Sequence, residues 1–238
     1  SSRFWFCLNG VAWYLSVQAF LYAIFPWLLA VLKKVDTRRL RCIAAAIFCA
    51  QFLFSFAIWK AGLSGKAIFY LTYLCPLFRA GDFAISCCMG CLYHSRKEER
   101  IPYGAFSLLE LAAVLFSGGC FFIAARQVGA LGAVAFRYNV LFTPSAVLLV
   151  WLLAVGKGVI SRLLSAKPFL WLAVLSPYGF LIHQVLIRYM ELAANKLGLT
   201  AHPVVWTLTV FLLTLCLSSF YKALEHRVRK RHAKAAAR

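Results

Sequence analysis

Arg79 and Asp82 stand three residues apart in the run Pro76-Leu77-Phe78-Arg79-Ala80-Gly81-Asp82-Phe83, at the head of an apolar stretch. On a helix that spacing puts both side chains on one face, where they partly neutralise each other. Charge inside hydrocarbon costs a few kcal/mol on insertion scales, so a span that keeps such a pair points to a polar ligand or reaction. A second cluster, Ser176-Pro177-Tyr178-Gly179 and then His183-Gln184, Arg188 and Glu191, lies in a later apolar run. Gln184, Arg188 and Glu191 fall at i, i+4 and i+7, one stripe along a helix. His183 sits about 100° round from Gln184, stacked over Gly179 and Ser176 on a helix loosened by Pro177 and Gly179. Imidazole titrates near neutrality and suits acid–base work. A lone buried histidine more often packs than reacts, so the two readings of His183 balance. Near the start, Asn9 and Ser16 share a face and Trp13 and Tyr14 suit an interfacial belt. Gln18 reads as a helix–helix hydrogen bond.

These residues need spans to carry them. Hydrophobic residues make up 63% of the 238-residue chain, far above a soluble domain, and mean hydropathy is +0.80. Apolar runs at 10–32, 42–59, 105–125, 139–155, 171–190 and 203–221 are mostly long enough to cross a hydrocarbon core of about 30 Å. A seventh, 79–93, reaches only some 22 Å as a helix, which sets Arg79 and Asp82 below the surface. The expected architecture is therefore all-α and integral to the membrane: one polytopic domain over 1–238, a bundle of about seven spans, and a basic tail over 222–238. The segment 62–78 lies at the interface or dips inward and returns, a candidate cavity lining. Glu110 snorkels or pairs with a basic loop. Thr143-Pro144-Ser145 marks a kink. Thr207, Thr214 and Ser218 share a packing face, and Glu225 forms a surface pair.

The net charge of +19 invites a nucleic-acid reading, but its distribution opposes it. With seven spans, one set of connections and the tail holds 18 of the 26 Lys and Arg, and the opposite side holds 6. That excess marks the cytoplasmic side, with the C-terminus inside and the N-terminus outside. The basic tail then faces anionic lipid, and nucleic acid is not an expected partner. The nine cysteines lie mostly within apolar runs and act as small hydrophobes. Cys88-Met89-Gly90-Cys91 lacks a second pair or a histidine cluster, so no metal is expected, and Cys87 and Cys91 share a packing face.

Asn9-Gly-Val-Ala-Trp13-Tyr-Leu-Ser16-Val-Gln18, continuing through Tyr22 to Pro26, resembles the opening signature "NGxxWxLSVE…FYxxxP" of acyltransferase family 3. Pro76–Phe83 resembles that family's "PxFRxxdFxxG" stretch. Leu175-Ser-Pro-Tyr178…Leu181-Ile-His183-Gln184 resembles its "SYxxYLxHxP" helix, and Tyr221-Lys-Ala-Leu-Glu225 its closing element. The matches are in order over nearly the whole chain. Gln18 departs from the glutamate of many relatives, and Ala80-Gly81 and Ser86 vary the second stretch.

The resemblance implies an integral-membrane enzyme that O-acylates cell-surface glycans, with acyl-CoA, commonly acetyl-CoA, as donor. It implies a multi-pass protein of a bacterial plasma membrane, a glycan or lipid-linked sugar acceptor, and surrounding lipid as a partner. Supporting contacts fall on Asn9, Trp13, Ser16, Arg79, Asp82, His183 and Gln184. The family's ten-span bundle carries, in its first span, a basic residue eleven positions before the catalytic histidine. The residues eleven before the five histidines here are Phe83, Leu172, Glu191, Leu215 and Tyr221, none basic. The expectation is a C-terminal seven-span portion, whose catalytic histidine lies upstream of Ser1. Transport of a polar or lipid-linked substrate is the alternative, since paired charges and broken spans serve permeases too. A purely structural or sensor role is the third.

Overall fold

The computed structural model describes residues 13–95, 102–198 and 202–236, and every regular element among them is helical. α1 (Trp13–Leu32) and α2 (Thr37–Lys60) are joined by a short polar turn. Asp36 caps α2, its carboxylate accepting the Arg39 amide at 2.8 Å. α3 (Gly65–Phe69) opens on a Ser64 cap and passes into a π-turn, Tyr70–Leu74. α4 (Pro76–Ser95), α5 (Tyr103–Arg126), the single turn α6 (Val134–Arg137), α7 (Thr143–Val155) and α8 (Val159–Leu164) follow. α9 (Lys167–Leu197) and α10 (Pro203–Ala236) close the chain.

Six stretches are long and apolar enough to cross a membrane, among them α3 to α4 taken together as Gly65–Ser95; α7 is a shorter apolar helix of 13 residues. Their outward faces are apolar as well: Leu53, Leu115, Phe121 and Val150 are each more than 60% exposed, as lipid-facing residues are. Two expectations change here. The short span is α7, since 79–93 is part of a full helix with a helical approach. Pro144 lies in the first turn of α7 and starts that helix, so it does not kink a longer one. Two hydroxyls add to carbonyls there that already accept backbone amides, Ser145 Oγ to Phe142 O at 3.0 Å and Thr143 Oγ1 to Asn139 O at 3.4 Å.

The chain divides into two compact units. In the larger, Ser16–Leu164, three apolar clusters hold the helices. Ile58 of α2, Ile68 of α3 and Phe136 of α6 form one. Leu32, Leu40 and Cys88 form a second, with Cys87 and Cys91 at its edge, so the cysteine motif is packing between α1, α2 and α4. Phe106, Ala113 and Leu152 join α5 to α7. Gln18 donates to Tyr22 Oη at 2.5 Å, a bond within its own helix where a bond between helices was expected.

Glu110 does not snorkel. It is fully buried on α5, and its carboxylate accepts the amides of Gly158, Ile160 and Ser161 at 3.2, 2.8 and 3.2 Å, closing the N-terminal end of α8. Gly158 is required by contact: a Cβ there would lie 2.3 Å from the Glu110 carboxyl carbon.

The smaller unit holds α9 and α10. Pro177 sits inside α9 without ending it, and the Ala173 carbonyl that it deprives of a donor accepts the Ser176 hydroxyl at 2.9 Å. Gly179 lets α10 approach, with Thr214 and Ser218 at 3.5 and 3.6 Å from where a Cβ would stand. Thr207, placed with them by sequence spacing, is exposed and donates to Pro203 O. α10 has 34 residues, about 51 Å, so its basic end extends as helix past any hydrocarbon core.

Candidate functional site

Arg79 lies one turn into α4, just past a deliberate break. The residue before a proline is pushed into extended backbone, and Cys75 has φ −64° and ψ 119°. The helix therefore stops at Leu74, and the carbonyl of Tyr73 is free to accept Arg79 Nε at 2.9 Å. The guanidinium carbon stands 4.8 Å from the Tyr73 ring centre, a cation–π contact. Phe69 stacks on Tyr73 and meets Tyr138 edge-on, which holds that ring in place. Arg79 Nη1 donates to Asp82 Oδ2 at 3.2 Å and to Asn139 Oδ1 at 3.1 Å. Nη2 makes no hydrogen bond among the described residues.

Asp82 is equally committed. Its Oδ1 accepts Asn139 Nδ2 at 3.1 Å and Gln51 Nε2 at 3.2 Å, and Gln51 also donates to Phe78 O at 2.9 Å. Asn139 and Gln51 are buried, whereas the side chains of Arg79 and Asp82 keep 19% and 25% of their surface. Gly81 makes room for this: a Cβ there would stand 2.7 Å from Gln51 Nε2. A charge pair held by neutral amides and backbone carbonyls keeps its geometry without further counter-charge.

The exposed surface of that pair opens into a cavity of about 520 Å³, within the size of small-molecule sites. One wall is a stripe of α4, from Arg79 and Asp82 through Ile85 and Met89 to Tyr93; the other runs from Asn139 along α7 to Ala154. The segment 62–78 contributes none of the lining, contrary to its reading as a cavity wall.

The smaller unit carries the other polar residues. His183 Nδ1 lies 3.0 Å from Gly179 O, one turn back on α9, and its ring packs near Phe180. Gln184 Oε1, Thr214 Oγ1 and Ser218 Oγ are buried without a hydrogen-bond partner among the described residues. Tyr178 donates to Glu225, which also pairs with Arg229 at 2.5 Å. Two stretches 47 residues apart thus meet through one bond. Trp13 is half-buried and edge-on to Tyr14, whose ring meets Phe180 at 5.4 Å. Ser16 is exposed, and Asn9 lies outside the described residues.

Comparison with known proteins supplies the context for this geometry. A family model described as an acyltransferase domain, the acyltransferase 3 family, matches residues 1–222. The chain belongs to that family. No curated protein and no solved structure matches it. An acyltransferase 3 protein is a membrane-embedded transferase, which agrees with the six apolar helices. In this acyltransferase the arginine and aspartate foreseen from spacing do pair. Asn139 and Gln51, which hold them, were not foreseen, because they lie 57 and 31 residues from Asp82. The available signal was an amide within each of two apolar runs.

Proposed function

We propose that the chain is a membrane O-acyltransferase moving an acyl group, acetyl in the simplest case, from acyl-CoA to a sugar hydroxyl of a cell-surface polysaccharide. Arg79 carries the reading: a guanidinium fixed by Tyr73, Asp82 and Asn139 at the end of a cavity, with the two N–H groups of Nη2 open among the described residues. In the transfer, the sugar oxygen attacks the thioester carbonyl carbon, the C–O bond forms and the C–S bond breaks. The hydroxyl proton passes to a base and then to the departing thiolate. Negative charge develops on the carbonyl oxygen, and a fixed cation in a low-dielectric site stabilises it. Asp82 is a positioning residue, because both its oxygens are already occupied.

Histidine suits the proton transfer by its near-neutral titration. His183 and Gln184 are assigned to the acceptor sugar, and the unpartnered Gln184 Oε1 has the capacity to take a hydroxyl donor. Trp13, Ser16 and Asn9 belong to the same supporting set. The basic end of α10 sits on the cytoplasmic leaflet of a bacterial plasma membrane, against anionic lipid.

The test is Arg79→Ala and Arg79→Lys at the chromosomal locus, with alkali-labile acyl groups on the surface polysaccharide measured beside protein level in membranes. Loss of one oxyanion donor costs about 100- to 1,000-fold in rate, so acylation falls to background with alanine. Unchanged acylation at normal protein level overturns the assignment. Loss of the surface glycan itself, instead of its acyl groups, would point to transport.

A further inference from the structure

The cavity has a shape that the transfer of a small acyl group does not need. α4 and the segment 139–155, which runs on into α7, lie in the same direction and touch at both ends of it. At one end Arg79 meets Asn139 at 3.1 Å. At the other, Tyr93 donates to Ala154 O at 2.9 Å, and its ring meets Trp151 edge-on. Between these pins residues of both walls line the cavity. From Arg79 to Tyr93 is fourteen residues, a slot about 21 Å long. A single leaflet of hydrocarbon is roughly 15 Å deep, so one lipid tail fits inside this length. The middle of the slot is apolar and locally small: a Cβ added at Gly90 meets nothing within 4 Å, and Met89, Val147 and Val150 line it.

We propose that this slot binds one acyl chain of a membrane lipid, with the ester carbonyl oxygen accepting an open N–H of Arg79. The single charged end decides the head group. Among the described residues Arg79 is the one cation of the lining and Asp82 already offsets it, so a neutral carbonyl is matched and a lipid phosphate drawn into the slot would find no second cation. If the acceptor sugar of the reaction above is lipid-linked, the slot holds its anchor; that extension rests on the acyltransferase reading, and the binding itself does not.

The experiment places the protein in nanodiscs containing phosphatidylcholine with a photoactivatable diazirine on one acyl chain, followed by mapping of the labelled residues. Labelling is expected at Met89 and Val147, the half-buried residues of the two walls. Gly90→Leu combined with Ala146→Leu, which fills the slot from both walls, should reduce that labelling at least tenfold while leaving labels on the lipid-exposed Leu208 and Phe211 unchanged. An ether-linked probe, which lacks the carbonyl, should label the slot about tenfold less than the ester, in keeping with one hydrogen bond to a charged donor. Labelling that ignores the filled slot, or equal labelling by ether and ester, overturns the proposal. Labelling by a long-chain acyl-CoA probe in preference to the lipid overturns the choice of occupant. None of these readings requires turnover, so they stand apart from the fate of the acyl-transfer assignment.

Discussion

Gly81→Ala tests whether the amide of Gln51 is what fixes the charge pair. The new methyl would stand 2.7 Å from Gln51 Nε2 and 2.9 Å from its Cδ, inside any real contact distance. The amide is the far end of a flexible side chain and can move, but it is buried and gives up two bonds in moving, to Phe78 O and Asp82 Oδ1. At about 1 kcal/mol for each bond, somewhat more for the one to the carboxylate, the loss is near 2 kcal/mol. Alanine in a helix interior returns roughly 1 kcal/mol over glycine. The net expectation is a destabilisation of about 1 kcal/mol. In a Gln51→Ala background only Ile47 Cγ2, at 3.3 Å, has to give by a few tenths of an ångström, so the same substitution should stabilise by up to about 1 kcal/mol. The coupling between the two positions is then about 2 kcal/mol. Reversible unfolding by sodium dodecyl sulfate in mixed micelles, on the four proteins of the double-mutant cycle, measures it. Equal effects of Gly81→Ala in both backgrounds would refute the reasoning.

Asn139→Leu removes two bonds to charged partners and should cost about 2–4 kcal/mol in the same unfolding measurement. Gly158→Ala drives a methyl into the Glu110 carboxylate and should cost 3 kcal/mol or more, read as loss of folded protein from membranes; Glu110→Gln, which keeps the shape, should cost about 1–3 kcal/mol. Tyr178→Phe should leave the unfolding transition nearly unchanged, because Glu225 keeps Arg229, and a clear loss of stability by unfolding would mean that the α9–α10 pair depends on that bond.

What could be read in the sequence was what neighbours in sequence decide. Arg79 and Asp82 are three residues apart, and helical geometry alone brings them together. The apolar runs announce spans because lipid demands them. What escaped was long-range. Glu110 looked like a charge within reach of an interface, and only the fold shows Gly158, Ile160 and Ser161 presenting three amides to it from 48 to 51 residues away. Thr143-Pro144-Ser145 could begin a helix or bend one, and hydropathy does not distinguish the two. The run before Pro76 read as a re-entrant lining, yet its use is the opposite: by ending one residue before the proline it leaves a carbonyl for Arg79.

The burial of Glu110 also sets a problem of timing during synthesis. The carboxylate enters the membrane on α5, and the amides that receive it belong to a segment 48 residues further on. At five to twenty residues per second, that is roughly two to ten seconds of translation. Throughout this interval α5 carries an acidic group with no partner, so it has to wait near the headgroups or within the insertion machinery until Gly158 emerges. Lateral release of α5 is thereby tied to the arrival of α8. A defect at Gly158 would be felt first as failed assembly, before any folded molecule exists to be measured.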